Sequence, residues 1–249
     1  MARFVVVAIA LAARGAAAAA DILLASFDGK ASHQWKQMND PVMGGKSTGT
    51  FSVANNVGIF DGEVVDVPFL KAPGFIKTSV VDMKPFTRIF PDISACKSIK
   101  LEVKSDSDYK GYRFSIGNAH APGGKFFAYG SLVQKFFEFI EATSPTSTLA
   151  LLASGPLVSI KTRQDAALDE TTVTLPLSGF TDYWDDATGE AIKTCQENKI
   201  YCPDVKTLQD MRTMGFWAEG VAGKVHLEIK SAAWPGQFGH CDWRLFWVT

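Results

Sequence analysis

Gly45-Lys46-Ser47 is the first place to look for nucleotide chemistry, and Gly45-Lys46-Ser47-Thr48-Gly49 the first for acyl transfer. The former could end a phosphate-binding loop, whose backbone N–H groups and lysine cradle phosphates. The first glycine of that motif would fall at position 40, which is Asp40, a carboxylate where phosphate would have to sit. The latter fits the G-x-S-x-G nucleophile elbow, which needs a strand, a sharp turn and then a helix. Here Thr48-Gly49-Thr50-Phe51-Ser52-Val53 follows and reads as a strand. Both catalytic readings fail on context. The turn itself is well specified by Asn39-Asp40-Pro41 and the pair Gly44-Gly45. Asn and Asp bond nearby backbone, Pro fixes φ, and glycine permits φ > 0.

Other reactive residue types are dispersed. The histidines stand at 33, 120, 226 and 240, and no two of the four cysteines make a C-x-x-C pair. A zinc site is therefore not expected. Asp182, Asp185 and Asp186 surround Tyr183-Trp184, and Asp169 precedes Glu170. Carboxylates on a loop could hold calcium, but the alternating ligand spacing and obligatory glycine are missing, so a solvated loop is expected. Cys195 and Cys202 bracket a polar loop and are expected to form a disulfide in an oxidising compartment. Closing so short a loop stabilises by about 2.5 kcal/mol on chain-entropy grounds. No Ser/His/Asp order and no flanking pair of carboxylates recommends catalysis, and no metal or cofactor is expected.

The 249 residues, 47% hydrophobic with 18 Phe and 6 Trp, suffice for one large core. A net charge of −1 without a basic cluster argues against nucleic acid as a partner. Residues 1–20 carry Arg3, an apolar run and a small-residue stretch, the layout of a secretory leader. The apolar run is too short for a transmembrane span. An organellar presequence, for mitochondrion or plastid, is the alternative, since the first twenty residues contain no acid.

The elements that must position these residues are short strands. Ile22-Leu23-Leu24-Ala25-Ser26-Phe27 runs into Asp28-Gly29, and Val57-Gly58-Ile59-Phe60 meets Asp61-Gly62, a hairpin signal before Glu63-Val64-Val65. Ile99, Leu101 and Val103 alternate with charged residues, as Tyr112, Phe114 and Ile116 do with Arg113 and Ser115. Val225, Leu227 and Ile229 repeat the pattern. An all-β, antiparallel β-sandwich is expected. Residues 131–164 break the pattern and read as an insertion that packs poorly, or as retained non-coding sequence. The domain is expected over 21–231, with 232–249 as a C-terminal tail.

The order Trp35, Asn39-Asp40, Met43-Gly44-Gly45, Ser47, Gly49, Phe51 resembles the opening motif of the complex I intermediate-associated protein 30 family. Phe60-Asp61-Gly62, Gly74-Phe75-Ile76, the segment from Thr172 through Leu175-Pro176-Leu177 to Phe180, and Met214-Gly215-Phe216 extend the resemblance. It implies a jelly-roll sandwich similar to galactose-binding and carbohydrate-binding modules. It also implies a non-catalytic, chaperone-like assembly factor for NADH:ubiquinone oxidoreductase or another membrane complex, with a protein partner. The alternative is a secreted carbohydrate-binding module with a glycan partner, using Tyr183, Trp184 and Trp217 as stacking platforms. Trp35 is expected to be a buried anchor before a ligand platform, and Asn39 and Asp40 to bond the backbone of Gly44 and Gly45. These five remain candidate binding residues should the turn prove to be a recognition surface.

Overall fold

The computed structural model describes residues 21–40, 44–80, 88–118, 129–133, 171–185 and 188–235. In chain order the strands are β1 (Ile22–Ser26), β2 (Trp35–Asn39), β3 (Thr48–Ala54), β4 (Val57–Val64), β5 (Asp66–Val67), β6 (Ala72–Pro73) and β7 (Phe75–Val80). After these come β8 (Ser98–Lys104), β9 (Tyr112–Gly117), β10 (Tyr129–Leu132), β11 (Thr171–Pro176), β12 (Thr213–Glu219) and β13 (Gly223–Trp234). A short helix α1 (Val205–Gln209) precedes β12, started by the Asp204 carboxylate, which accepts the N–H of Thr207. None of the described helices is long and apolar enough to cross a membrane.

Two antiparallel sheets face each other as a jelly-roll sandwich. The first runs β11-β8-β13-β4-β3, with β1 also paired to β13, and the second runs β10-β9-β12-β7-β2. The core lies between them because alternate residues of each strand point inward. Ile99, Leu101 and Val103 of β8, Leu227 and Ile229 of β13, and Phe114, Ile116, Met214 and Phe216 of the second sheet are all buried there. Phe114 and Phe216 meet edge-on with centroids 5.1 Å apart. Trp35 enters the same core from β2, 5.6 Å from Phe51 and 5.7 Å from Phe27.

Several expected boundaries move. Asp61-Gly62 is not a turn. It lies inside β4, with Asp61 opposite Thr50 on one side and His226 on the other. The reversal occurs at Asn55 and Asn56, with φ of 52° and 63°. Two successive left-handed residues make the primed turn that matches strand twist. Gly62 is required by crowding instead, since a Cβ would strike the Thr48 carbonyl and Ile76. The expected insertion at 131 starts inside β10, where Ser131 pairs with Phe114 and Leu132 with Arg113. Val133 is buried and donates to the Tyr112 carbonyl, while residues 134–164 lie outside the described residues, as do the expected leader, Asp186 and His120. The expected tail also starts within a strand. Ala232 and Ala233 pair with Leu101 and Lys100, and Trp234 is fully buried. Small residues such as Ser131 and Ala232 carry no visible alternation, so sequence placed both limits early.

The opening motif is built around Asp40. Its carboxylate fills the space beside Gly45 and Gly74, where a Cβ on either glycine would collide with it. Gly44, not Gly45, takes the left-handed conformation, at φ +79°. Asn39 accepts from the Gly49 N–H at 2.8 Å, rather than from Gly44 or Gly45 as expected. Ser47 is buried, accepts the Val65 N–H at 3.0 Å and leads into β3.

One hydroxyl ties the two sheets together. Beyond Lys104 strand β8 no longer pairs with β13, and the Tyr112 hydroxyl donates to the His226 carbonyl at 2.8 Å and accepts its N–H at 3.1 Å. Two predictions follow from these contacts. Gly45→Ala should destabilise by about 1–3 kcal/mol through overpacking, and by much less in an Asp40→Ala background, where the colliding carboxylate is gone. Thermal unfolding of the four-member cycle measures that coupling, and additive losses would refute the collision. Tyr112→Phe should lose about 1–3 kcal/mol, since it strands the His226 N–H. Chemical unfolding reads it, with Tyr109→Phe as the comparison.

Candidate functional site

The outer face of the second sheet is set by register. Leu132, Arg113, Trp217, Lys77 and Met38 stand side by side across β10, β9, β12, β7 and β2. The next outward row is Gly130, Ser115, Gly215, Ser79 and Lys36. A row of large side chains beside a row of glycines and serines leaves a trough. It opens as a cleft of about 260 Å³ lined by Phe75, Arg113, Ser115, Gly130, Trp184, Trp217 and Glu219.

Trp217 forms the floor and is held from three directions. Its indole N–H donates to Ser115 Oγ at 2.6 Å. Phe75 packs on it with centroids 5.6 Å apart, and Lys77 Nζ sits 4.3 Å from the ring centroid. Such a cation–π contact is worth about 0.5–2 kcal/mol, more as it is desolvated. Beside the ring, Arg113 Nε lies 3.2 Å from Glu219. The angle there is poor for a hydrogen bond, so the pair is chiefly electrostatic. Burial raises the Glu219 carboxyl above its ordinary range, against the pull of Arg113 and Lys77. Burial also lowers Lys77, opposed by Glu219.

Trp184 arrives from the loop after β11, which is fastened at several points. Gly130 bridges Thr181, and Trp184 bridges Ala191. Asp185 accepts the Thr188 N–H at 2.9 Å, and the Thr188 carbonyl accepts from Arg113 at 3.1 Å. The expected disulfide joins Cys195 to Cys202 at the loop's far end. Cys96 is disulfide-bonded too. The result is a rigid wall of the cleft, anchored to the sheet by the same arginine that pairs with Glu219.

Of the residues singled out from sequence, the fold brings Trp184 and Trp217 together. Tyr183 stands outside the cleft, exposed, and stacks on Tyr201 with centroids 5.0 Å apart. Trp35 faces the core, Asn39 ends β2, and Asp40, Gly44 and Gly45 lie between β2 and β3, apart from the cleft lining. Sequence reasoning missed Phe75, Arg113, Ser115, Gly130 and Glu219. In the sequence Arg113 and Ser115 read only as the residues alternating with Tyr112, Phe114 and Ile116, yet both are buried. The available clue was Trp217-Ala218-Glu219, two functional side chains on one strand face.

The family model for complex I intermediate-associated protein 30 matches residues 25–149, from β1 past β10. The chain belongs to that family. No curated protein matches it. Among solved structures it is similar to the family 11 carbohydrate-binding module of a Clostridium thermocellum cellulosomal cellulase. The two share 15% identity, over 88% of this chain and 96% of that one, with a TM-score of 0.44. The Clostridium thermocellum module in complex with a β-1,3-1,4-mixed-linked tetrasaccharide also matches, at 15% identity over 90% and 100% with a TM-score of 0.44.

A pH dependence follows from the buried pair. Glu219 holds its proton to higher pH when folded than when unfolded, so its contribution to stability is full below the unfolded value and is lost as pH rises through the folded one. Lys77, depressed, contributes above its unfolded value, and that contribution is lost as pH falls through the folded one. The stability of the wild type relative to Glu219→Gln should therefore fall as pH rises above about 4.5. Urea unfolding between mildly acidic and neutral pH measures this, and a difference independent of pH would show that burial does not raise this carboxyl.

Proposed function

We propose that this chain is a non-catalytic binding module that acts in assembly of NADH:ubiquinone oxidoreductase or a related membrane complex. It captures a protein partner at the Trp184–Trp217 cleft. Membership of the complex I intermediate-associated protein 30 family carries this reading. The cleft's construction supports it: a rigid sheet and a fastened loop present aromatic surface beside a paired charge, which limits the ordering cost of association. Aromatic residues and arginine at the centre of a desolvated patch are the types that dominate protein interfaces. Trp184 and Trp217 are the binding residues of this proposal, with Tyr183 at the rim, and the Asn39–Gly45 turn as a structural support.

The second reading is a secreted glycan-binding module. Two tryptophans with Arg113, Ser115 and Glu219 in one trough favour it, because a pyranose face stacks on an indole while its hydroxyls bond charged and polar groups. Compartment separates the two. The Cys195–Cys202 disulfide suits an oxidising lumen, whereas the first reading places the chain with a mitochondrial or plastid complex.

The deciding experiment is affinity capture from detergent-solubilised organelle membranes with the wild type, Trp184→Ala and Trp217→Ala, each first shown to be folded by its melting curve. Subunits of NADH:ubiquinone oxidoreductase should be recovered by the wild type and lost, by about ten-fold or more, in both variants. Glycan-array binding that both variants abolish, with no respiratory subunit recovered, would overturn the first reading in favour of the second.

A further inference from the structure

The outer face of the first sheet carries a second polar constellation, away from the cleft. His226 and Glu228 are two apart on β13 and so share its outward face. Register sets Asp61 of β4 directly opposite His226, and Lys104 of β8 directly opposite Glu228. Just past the end of β8 the chain brings in Asp106. One ligand atom each from Asp106, His226 and Glu228 lies within 4.8 Å of the others. We propose that these three side chains form a zinc-binding site, with Asp61 as the carboxylate that orients the imidazole.

Three observations beyond the carboxylates carry this. First, Asp61 Oδ1 lies 2.5 Å from His226 Nδ1. An ionised carboxylate only accepts, so Nδ1 bears a proton, and Nε2 is the nitrogen that can give up its proton to a metal. A histidine that ligates zinc through one ring nitrogen characteristically gives the other N–H to a carboxylate. Second, Nε2 faces Glu228 Oε1 at 3.6 Å. Either a proton on Nε2 or a metal ion can join the two, and zinc would take the place of that proton. Third, the Lys104 ammonium already stands as a cation at this place, 3.4 Å from Asp106 and 3.9 Å from Glu228. A divalent ion would displace it, and the lysine, a surface side chain, is free to swing out.

The backbone beneath is fixed. The His226 carbonyl accepts from Tyr112 and from Ser105, both at 2.8 Å, and the buried Tyr112 hydroxyl takes its N–H. The imidazole thus stands on an ordered strand position, as a preformed site requires. Zinc bonds to nitrogen and carboxylate oxygen are about 2.0–2.2 Å, so the three ligand atoms must draw in by roughly an ångström, which rotation of exposed Asp106 and Glu228 supplies. One imidazole and two carboxylates with a water in the fourth position suit zinc. Calcium, which takes six to eight oxygens, would find too few.

The test uses the untagged full chain, stripped of metal and titrated with Zn²⁺ against a chromogenic chelator at neutral pH. One zinc should bind per chain. His226→Gln and Glu228→Gln should abolish that binding. Asp61→Asn should weaken it by about ten-fold or more through loss of the orienting bond. Lys104→Ala should tighten it, which a merely structural role for these residues does not predict. Cobalt in place of zinc should give the visible bands of four-coordinate geometry in the wild type and not in His226→Gln. All four side chains point to solvent, and melting curves confirm that each variant folds. The inference is overturned if the wild type binds no zinc at micromolar metal, if His226→Gln binds as tightly as the wild type, or if calcium competes equally. In the first case the cluster is an ion-pair network only.

Discussion

The hydroxyl of Tyr112 crosses from one sheet to the other and takes both main-chain groups of His226 where β8 has stopped pairing with β13. A buried N–H or carbonyl without a partner costs about 1–3 kcal/mol, so a strand that outruns its neighbour needs such a substitute. The same contact fixes the depth of β9 against the core. Arg113 is the next residue, so the placement of the cleft's arginine is inherited from it. On the other side, His226 is held in register with Asp61. Both outer faces therefore depend on one tyrosine between the sheets.

The two sheets use their outer faces differently. On the first, charged residues stand half in water, and pairs such as Lys100 with Asp21 at 2.7 Å are worth little individually. On the second, the loop through Trp184 covers β9 and β12, and Arg113 and Glu219 meet with little water. A buried ion pair of this kind contributes little net stability, because desolvation offsets attraction, but it strongly disfavours arrangements in which either charge is left alone. It holds the loop to the sheet through Thr188 at the same time. Specific placement, more than stability, is what the pair supplies.

Much of this was legible from residue order. The alternation of Ile99, Leu101 and Val103 gave β8, and Val225, Leu227 and Ile229 gave β13, because one face of each is buried and the other wet. The Cys195–Cys202 bond was legible from spacing and loop composition. The hairpin at Asn55-Asn56 was not, since Asp61-Gly62 is the stronger turn signature and only tertiary crowding at Gly62 explains why it lies mid-strand. The cleft was half legible. Trp184 and Trp217 stood out as aromatic residues near acids, but Phe75, Arg113, Gly130 and Glu219 lie far apart in sequence and meet only through cross-strand register. A strand such as β9, covered on both sides, also hides its polar positions, since alternation reads them as solvent-facing.

Alternation within β9 and β12 has a consequence for how this site can vary. Phe114 and Phe216 fill the core while their neighbours Arg113 and Trp217 line the cleft, so interior and cleft lining are interleaved residue by residue along the same two strands. Inserting or deleting one residue there would exchange the two sets, turning the guanidinium into the core and the phenyl rings outward. Change in the chemistry of the cleft is thereby confined to replacing side chains in place. Gain or loss of length is admissible only in the loops that roof the trough, where it would reshape the opening without disturbing the floor.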